Sequence, residues 1–304
     1  MSSNLAVNIA KLKLKNPVMV ASGTFGYADD FEGLIDLKKL GALVSKTVTL
    51  KPRPGNPAPR TCETPAGMLN SIGLENPGID KFIKEKLPIL KKYGLPVIVS
   101  ISAEQDPEEL VELAKKLDKV SSVAAIELNI SCPNIKKTKL ISQDPKFTYE
   151  VTKKVRKQTK KTLITKLSPN VTEITAIALA AEEAGSDAVS LINTLTGMCI
   201  DIETKKPKLG AITGGLSGPA IRPVAVRMVW EVYNKIKIPI IGMGGIMDTQ
   251  SALEFFLAGA TAVSVGTANF INPRVTVEII SGLRDYLTKN KIKDIKELIG
   301  SLKT

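Results

Sequence analysis

The chain contains no histidine. A proton drawn from carbon near neutral pH must therefore go to a cysteine, lysine, tyrosine or carboxylate, and a thiol lies closest to neutrality. Cysteine is scarce too. Cys62, Cys132 and Cys199 are widely spaced, odd in number and form no C-x-x-C pair. That pattern argues against a disulfide framework and fits a reducing compartment. It also leaves no set for zinc or for an iron–sulfur cluster held by this chain alone, so no metal site is expected. Aromatic residues make up only 4% of the chain, too few for a base-stacking platform. No apolar run is long enough to span a bilayer, and Met1–Leu5 is not a basic patch leading into an apolar stretch. The expectation is a cytoplasmic protein with no membrane segment and no signal peptide. No G-x-G-x-x-G follows the first apolar segment, which argues against an open dinucleotide-binding sheet.

Charge is abundant and unbalanced, 42 basic against 30 acidic residues, at a net +12. The lysines are dispersed, as in Lys84-Glu85-Lys86, Lys91-Lys92 and Lys153-Lys154, and alternate with apolar residues at helical spacing. Such a pattern marks solvated helix faces rather than a nucleic-acid surface. The positive field would still draw in small anions.

Eight short apolar, β-rich segments recur. They are 17–21, 42–46, 97–101, 124–128, 163–167, 187–192, 238–242 and 262–265. Several are nearly continuous in apolar character, as expected of parallel strands covered on both faces. Helical periodicity lies between most of them. Glu108–Leu117 places Leu110, Val111, Leu113, Ala114 and Leu117 on one side, after an Asp106-Pro107 start signal. Thr172–Ala184 and Asp248–Ala258 each end at a glycine. The alternation continues without a compositional break, which predicts a single (β/α)8 barrel domain over residues 1–304, with the doubly wound sheet as runner-up. About fifty residues separate the second and third segments, and they open with a Pro/Gly-rich run at 52–57. A connection of that length is uncommon and usually functional.

In a barrel the residues following each strand converge on one face. Those residues include Ser22, Lys46, Ser100, Asn129, Cys132, Lys166, Asn193 and Thr194. Two lysines at strand ends imply an anionic ligand, because an unpaired buried ammonium is costly. Gly244-Gly245 and Gly266-Thr267 follow the last two segments and read as a phosphate cradle; the alternative is two tight turns. Asn70, Asn129, Asn134 and Asn193 offer amide donors and acceptors to a flat heterocycle, although each alone also suits a cap or a turn. Cys132 in Asn129-Ile130-Ser131-Cys132-Pro133-Asn134 is the candidate base; the plain alternative is a structural cysteine beside a turn-forming Pro-Asn.

These motifs, together with Ala21–Gly26, Gly67–Gly78, Lys166–Asn170 and Gly214–Ala220, resemble the catalytic chain of class 1 dihydroorotate dehydrogenases along essentially the whole sequence. The last motif resembles the NAD-linked subclass. The cysteine, in place of serine, separates the chain from the membrane-bound quinone-linked class. The resemblance implies FMN at the barrel mouth, contacted by Ser22, Lys46, Thr47, Ser100, Asn129, Lys166, Ile192 and Gly218. Gly244, Gly245, Gly266 and Thr267 would hold its phosphate. Lys46, Asn70, Ser71, Ile72, Gly73, Leu74, Asn129, Asn193 and Thr194 would bind dihydroorotate or orotate. Cys132 would take the C5 proton while the C6 hydride passes to flavin N5, with Lys166 stabilising the reduced ring. The family also implies a homodimer associated with a subunit carrying FAD and an iron–sulfur cluster.

At Ser100 relatives usually carry asparagine, so a water-mediated flavin contact is expected there. Cys62 and Cys199 match no catalytic motif and read as incidental. Other readings are a fumarate-linked class 1 enzyme, a dihydropyrimidine dehydrogenase-like enzyme, a tRNA dihydrouridine synthase-like enzyme and a non-catalytic flavin-binding barrel. The tRNA reading lacks room for an RNA-binding domain after the eighth segment. The non-catalytic reading leaves Cys132, Lys46, Lys166 and the asparagines unexplained. The C-terminal stretch 292–302 places Ile292, Ile295, Leu298, Ile299 and Leu302 near one helical face, to pack on the barrel or to meet a partner.

Overall fold

Strands made almost wholly of Val, Ile, Leu, Ala, Ser and Thr leave no polar face to put toward water, so both faces must be covered. A computed structural model, which describes residues 3–104, 106–130 and 141–303, shows how this is done. The hairpin β1 (Val7–Ile9) and β2 (Leu12–Leu14) comes first, its apolar residues buried. Eight parallel strands follow: β3 (Val18–Val20), β4 (Leu43–Val44), β7 (Val97–Ile101), β8 (Ala125–Asn129), β9 (Thr162–Lys166), β10 (Ala188–Leu191), β15 (Ile240–Gly242) and β16 (Ala262–Val265). They run in the order β3-β16-β15-β10-β9-β8-β7-β4. The ring closes where Met19 bridges Ala42 in parallel and the Gly41 N–H donates to the Val18 carbonyl at 2.8 Å. The result is a (β/α)8 barrel, as the segment pattern predicts.

The three helices named from the sequence lie where the periodicity places them, and others join them. Glu108–Asp118 is started by the Asp106 carboxylate, which accepts from the Glu108 N–H at 3.0 Å. Pro145–Arg156 is capped by Asp144, and Ile174–Glu183 stops at Gly185, whose φ is +94°. Thr249–Leu257 carries a reciprocal cap between Asp248 and Ser251. Among the described residues no helix is long and apolar enough to cross a membrane.

Two features depart from the sequence reading. The C-terminal stretch forms one 3-10 turn, Ile295–Leu298, instead of a helix. Its Ile295 and Leu298 are buried, and the Asn4 N–H donates to the Lys293 carbonyl at 2.8 Å, so it packs on its own barrel. Leu302 remains exposed. The second departure is a four-stranded antiparallel sheet built from two loops. β5 (Thr61–Thr64) and β6 (Gly67–Asn70) come from the long β4–β7 connection. β11 (Leu195–Met198) and β14 (Thr213–Ser217) come from the connection after β10. Their order is β11-β14-β6-β5, with Gly215 opposite Asn70. The small hairpin β12 (Ile200–Asp201) and β13 (Lys206–Pro207) extends from it. Gly-rich Thr213–Ser217 reads locally as a loop, because glycine packs nothing and weakens a strand. A Cβ at Gly215 would stand 2.0 Å from Thr194 Oγ1, so that close approach requires glycine.

Candidate active site

The end of β4 carries an extra residue. Val44 pairs with Ile98, so regular pairing would set Thr47 opposite Ile101; instead Val48 bridges Ile101. This bulge breaks the alternation, and both Lys46 and Thr47 line one cavity. In an unbroken strand neighbours face opposite sides.

Thr47 is the junction of a polar chain that crosses five strand ends. Its Oγ1 lies 3.0 Å from Ser22 Oγ and 3.0 Å from Ser100 Oγ, and it accepts from Asn129 Nδ2 at 3.3 Å. Asn129 Oδ1 in turn accepts from Asn193 Nδ2 at 3.3 Å, and Asn193 Oδ1 accepts from the Thr194 N–H at 2.8 Å. Both amides are thereby oriented, and each keeps one further N–H for a ligand.

The cavity at the barrel mouth measures about 720 Å³. Lys166 ends β9 opposite Asn129 and is only 5% exposed. Its ammonium has no hydrogen-bond or ion-pair partner among the described residues, and it lines the cavity. A buried, unpaired ammonium is costly unless a ligand supplies negative charge or acceptors. Lys46 is more open, with Nζ 3.9 Å from Glu75; that carboxylate also accepts from Arg60 at 2.8 Å. The loop Asn70–Leu74 forms another wall, held by the Ser71 N–H on the Arg60 carbonyl and the Asn56 N–H on the Ile72 carbonyl. Among the described residues the buried Ser71 hydroxyl has no partner.

The opposite end of the cavity is built from the loops after β15 and β16. Among the described residues, the N–H groups of Gly244, Gly245, Gly266 and Thr267 have no backbone carbonyl partner. The Ser264 hydroxyl, which also lines the cavity, is buried and unpartnered. The glycines differ in kind. Gly245 has φ +76°, and a Cβ there would meet the Gly218 carbonyl at 2.7 Å, so the turn itself demands glycine. Gly266 has no such constraint, and the nearest atom to an added Cβ is 3.6 Å away. The turn explanation thus accounts for Gly245 and not for Gly266.

A family model described as Dihydroorotate dehydrogenase matches residues 4–287. The chain belongs to the dihydroorotate dehydrogenase family. It is 55% identical over 302 residues to a protein of Geotalea uraniireducens, covering 99% of both chains. It is 56% identical over 301 residues to one of Geotalea daltonii, covering 99% of this chain and 98% of the relative. A third, from Caldicellulosiruptor bescii, is 54% identical over 300 residues, covering 98% of this chain and 99% of the relative. All three bear the name dihydroorotate dehydrogenase B (NAD(+)), catalytic subunit.

Within this dihydroorotate dehydrogenase-family barrel, the residues singled out from sequence converge. Ser22, Lys46, Thr47, Asn70, Ser71, Ile72, Gly73, Leu74, Asn129, Lys166, Ile192, Asn193, Thr194, Gly218, Gly244, Gly245, Gly266 and Thr267 all line the one cavity. Ser100 is the exception. It is fully buried beneath Thr47 and bonds that hydroxyl rather than facing the cavity. The shorter serine leaves Thr47 as the surface group. Cys132 and Asn134 lie outside the described residues.

Two polar residues of the cavity wall, Glu75 and Asn170, were not anticipated, nor was Glu127 in the barrel interior. Glu75 ties Lys46 to Arg60. Asn170 donates to the Thr194 carbonyl at 3.0 Å and accepts from the Thr196 N–H. Glu127, 3% exposed, faces inward on β8 two residues before Asn129; it accepts from Ser190 Oγ at 3.0 Å, and its second oxygen has no partner among the described residues. The one visible signal for Glu127 is an acid inside the apolar run 124–128.

Proposed function

We propose that this chain oxidises (S)-dihydroorotate to orotate in pyrimidine biosynthesis, with FMN held at the barrel mouth, as the catalytic chain of an NAD-linked enzyme. The observation that carries the reading is the buried Lys166 ammonium, without a partner among the described residues and facing a cavity that also holds the oriented amides of Asn129 and Asn193. The shared name of the full-length relatives supports the substrate and the acceptor class.

The residues present fit FMN. Four unpaired backbone N–H groups and the orphaned Ser264 hydroxyl suit a phosphate, and Lys166 suits the pyrimidine side of a flavin that gains charge on reduction. FMN, when bound, supplies the hydride acceptor for the substrate's C6. The protein supplies position and proton handling. Lys46 and the Asn70–Leu74 wall offer a cation and donors to the substrate carboxylate. Asn129 and Asn193 present N–H groups to the ring carbonyls, which stabilises charge developing beside C5. Cys132 receives the C5 proton. Holding base and acceptor on one fixed substrate supplies the orientation that a weak carbon acid requires. The "catalytic subunit" of the relatives' names supports a second subunit, and we assign to it the FAD and iron–sulfur cluster that carry electrons to NAD.

The test is to purify the chain, identify the cofactor released on denaturation by absorption and mass, and follow orotate formation from dihydroorotate with an artificial dye. Bound FMN and dye-dependent orotate formation are expected. A colourless protein that FMN does not reconstitute, or an FMN protein that makes no orotate, overturns the reading.

A further inference from the structure

Among the described residues that line the cavity, three carry a charge: Lys46, Lys166 and Glu75. Two cations suit a site for anions. A carboxylate in the same wall opposes them, so Glu75 calls for a reason of its own.

Glu75 is fixed from two directions. Its Oε2 accepts from Arg60 Nη1 at 2.8 Å. Arg60 is itself anchored, with Nε on the Asn56 carbonyl at 2.6 Å and Nη2 on the Pro54 carbonyl at 2.8 Å. The next residue, Asn76, clamps the backbone. Its side-chain nitrogen donates to the Leu74 carbonyl at 2.7 Å and to Thr49 Oγ1 at 2.8 Å, and its oxygen accepts from the Thr49 and Gly78 N–H groups. Thr49 lies three residues beyond Lys46 on the segment that follows β4. Glu75 and Lys46 thus sit on segments bonded to each other. Lys46 Nζ stands 3.9 Å from the same oxygen that Arg60 holds. That separation exceeds a hydrogen bond, so Lys46 is attracted to Glu75 while keeping its donors for a ligand.

We propose that Glu75 sets the affinity of the site for carboxylate ligands: it competes with the ligand carboxylate for the Lys46 ammonium and so weakens the hold on the anionic product. The inference rests on the proposed binding of the dihydroorotate and orotate carboxylate at Lys46. The charges give the sign. Lys46, Arg60 and Glu75 together carry one positive charge. A ligand carboxylate drawn to Lys46 lies close to a second carboxylate, and like charges repel. With the charge of Glu75 removed, two cations act on the ligand and no acid opposes them. The effect is bounded, because the Lys46 side chain is 25% and that of Glu75 48% exposed, and water and salt screen both. Substrate and product both carry the carboxylate, so Glu75 tunes binding and release rather than the oxidation step. If Glu75 served only to hold the loop through Arg60, a neutral acceptor of the same shape would do as well.

The experiment titrates orotate into the FMN-loaded chain by calorimetry, at low and at high salt, for wild type, Glu75→Gln and Glu75→Asp. Glutamine keeps an acceptor for Arg60 and removes the charge; aspartate keeps the charge. Glu75→Gln should bind orotate about two- to fivefold more tightly at low salt, as expected of a partly exposed charge pair. The gain should shrink as salt rises, and slower displacement of orotate in stopped flow should account for most of it. Glu75→Asp should stay near wild type. Unchanged or weaker binding by Glu75→Gln overturns the inference. So does equal tightening by Glu75→Asp, or a gain that salt leaves unaltered. A wild-type chain that neither binds nor makes orotate refutes the proposed reaction instead. A wild type that oxidises dihydroorotate, beside a Glu75→Gln chain that binds orotate no better, refutes this inference alone.

Discussion

Asn193 donates its side-chain amide to the Asn129 carbonyl oxygen at 3.3 Å, joining the ends of two strands that are not neighbours in the barrel. This bond sets which end of the Asn129 amide turns toward Thr47, where its nitrogen donates at 3.3 Å. The donors offered to a heterocycle are therefore oriented before any ligand arrives. Preorganised donors of this kind act without reorganisation when charge develops.

The junction at Thr47 makes Thr47→Val informative. Valine keeps the shape and leaves Ser22, Ser100 and the Asn129 N–H each short of a partner. A buried group left unpaired costs about 1–3 kcal/mol, so a clear loss of stability in urea is expected, with weaker orotate binding. Ser22→Ala removes one half-exposed bond and should cost less. Identical midpoints for wild type and Thr47→Val would show that the chain of bonds contributes nothing.

Cys132→Ser should nearly abolish flavin reduction by dihydroorotate at neutral pH while leaving FMN bound. Serine is a far weaker acid than cysteine, and loss of general-base help costs about 10²–10⁴-fold. Activity should recover in part as pH rises. Stopped-flow reduction across pH reads this directly; a wild-type rate at neutral pH excludes Cys132 as the base.

The isolated chain should pass electrons poorly to NAD. It has no dinucleotide fingerprint, and its cysteines cannot supply four ligands to a cluster. Steady-state NAD reduction is measured with the chain alone and then with the partner subunit added, using dye reduction to confirm active flavin. Efficient NAD reduction by the homogeneous chain alone would falsify the division of labour between two subunits.

Asp248 caps the helix after the Gly244-Gly245 loop. The Ser251 N–H, donating at 2.7 Å, is the main reason its carboxyl sits below the usual carboxylate range. Since the folded value is the lower one, the cap's contribution is complete above the ordinary carboxylate range. It is lost as pH falls through the depressed folded value. Asp248→Ala should cost about 1 kcal/mol at neutral pH, with the gap from wild type narrowing in acid. Urea melts at the two pH values check this, and a gap that widens in acid contradicts the assignment.

All eight barrel strands were legible from local pattern, because an apolar run bounded by turn residues has few uses other than a buried parallel strand. Helix limits at Asp106, Asp144 and Gly185 follow equally local rules of capping, although only Asp106 and Gly185 were read from sequence. Once those elements are known, barrel geometry alone brings Lys46, Asn129, Lys166 and Asn193 to one face, so most of the candidate site could be read in advance. What the sequence could not determine depends on contacts between distant segments. The β4 bulge turns Thr47 into a junction, and it exists only against β7. The sheet over the cavity pairs residues near 70 with residues near 215, and its glycine-rich strand has no strand signal of its own. The burial of Glu127, bonded to Ser190 on another strand, likewise follows from which surfaces the closed barrel brings together. Local pattern determines conformation residue by residue, whereas partnership between distant side chains is decided only when the chain has packed.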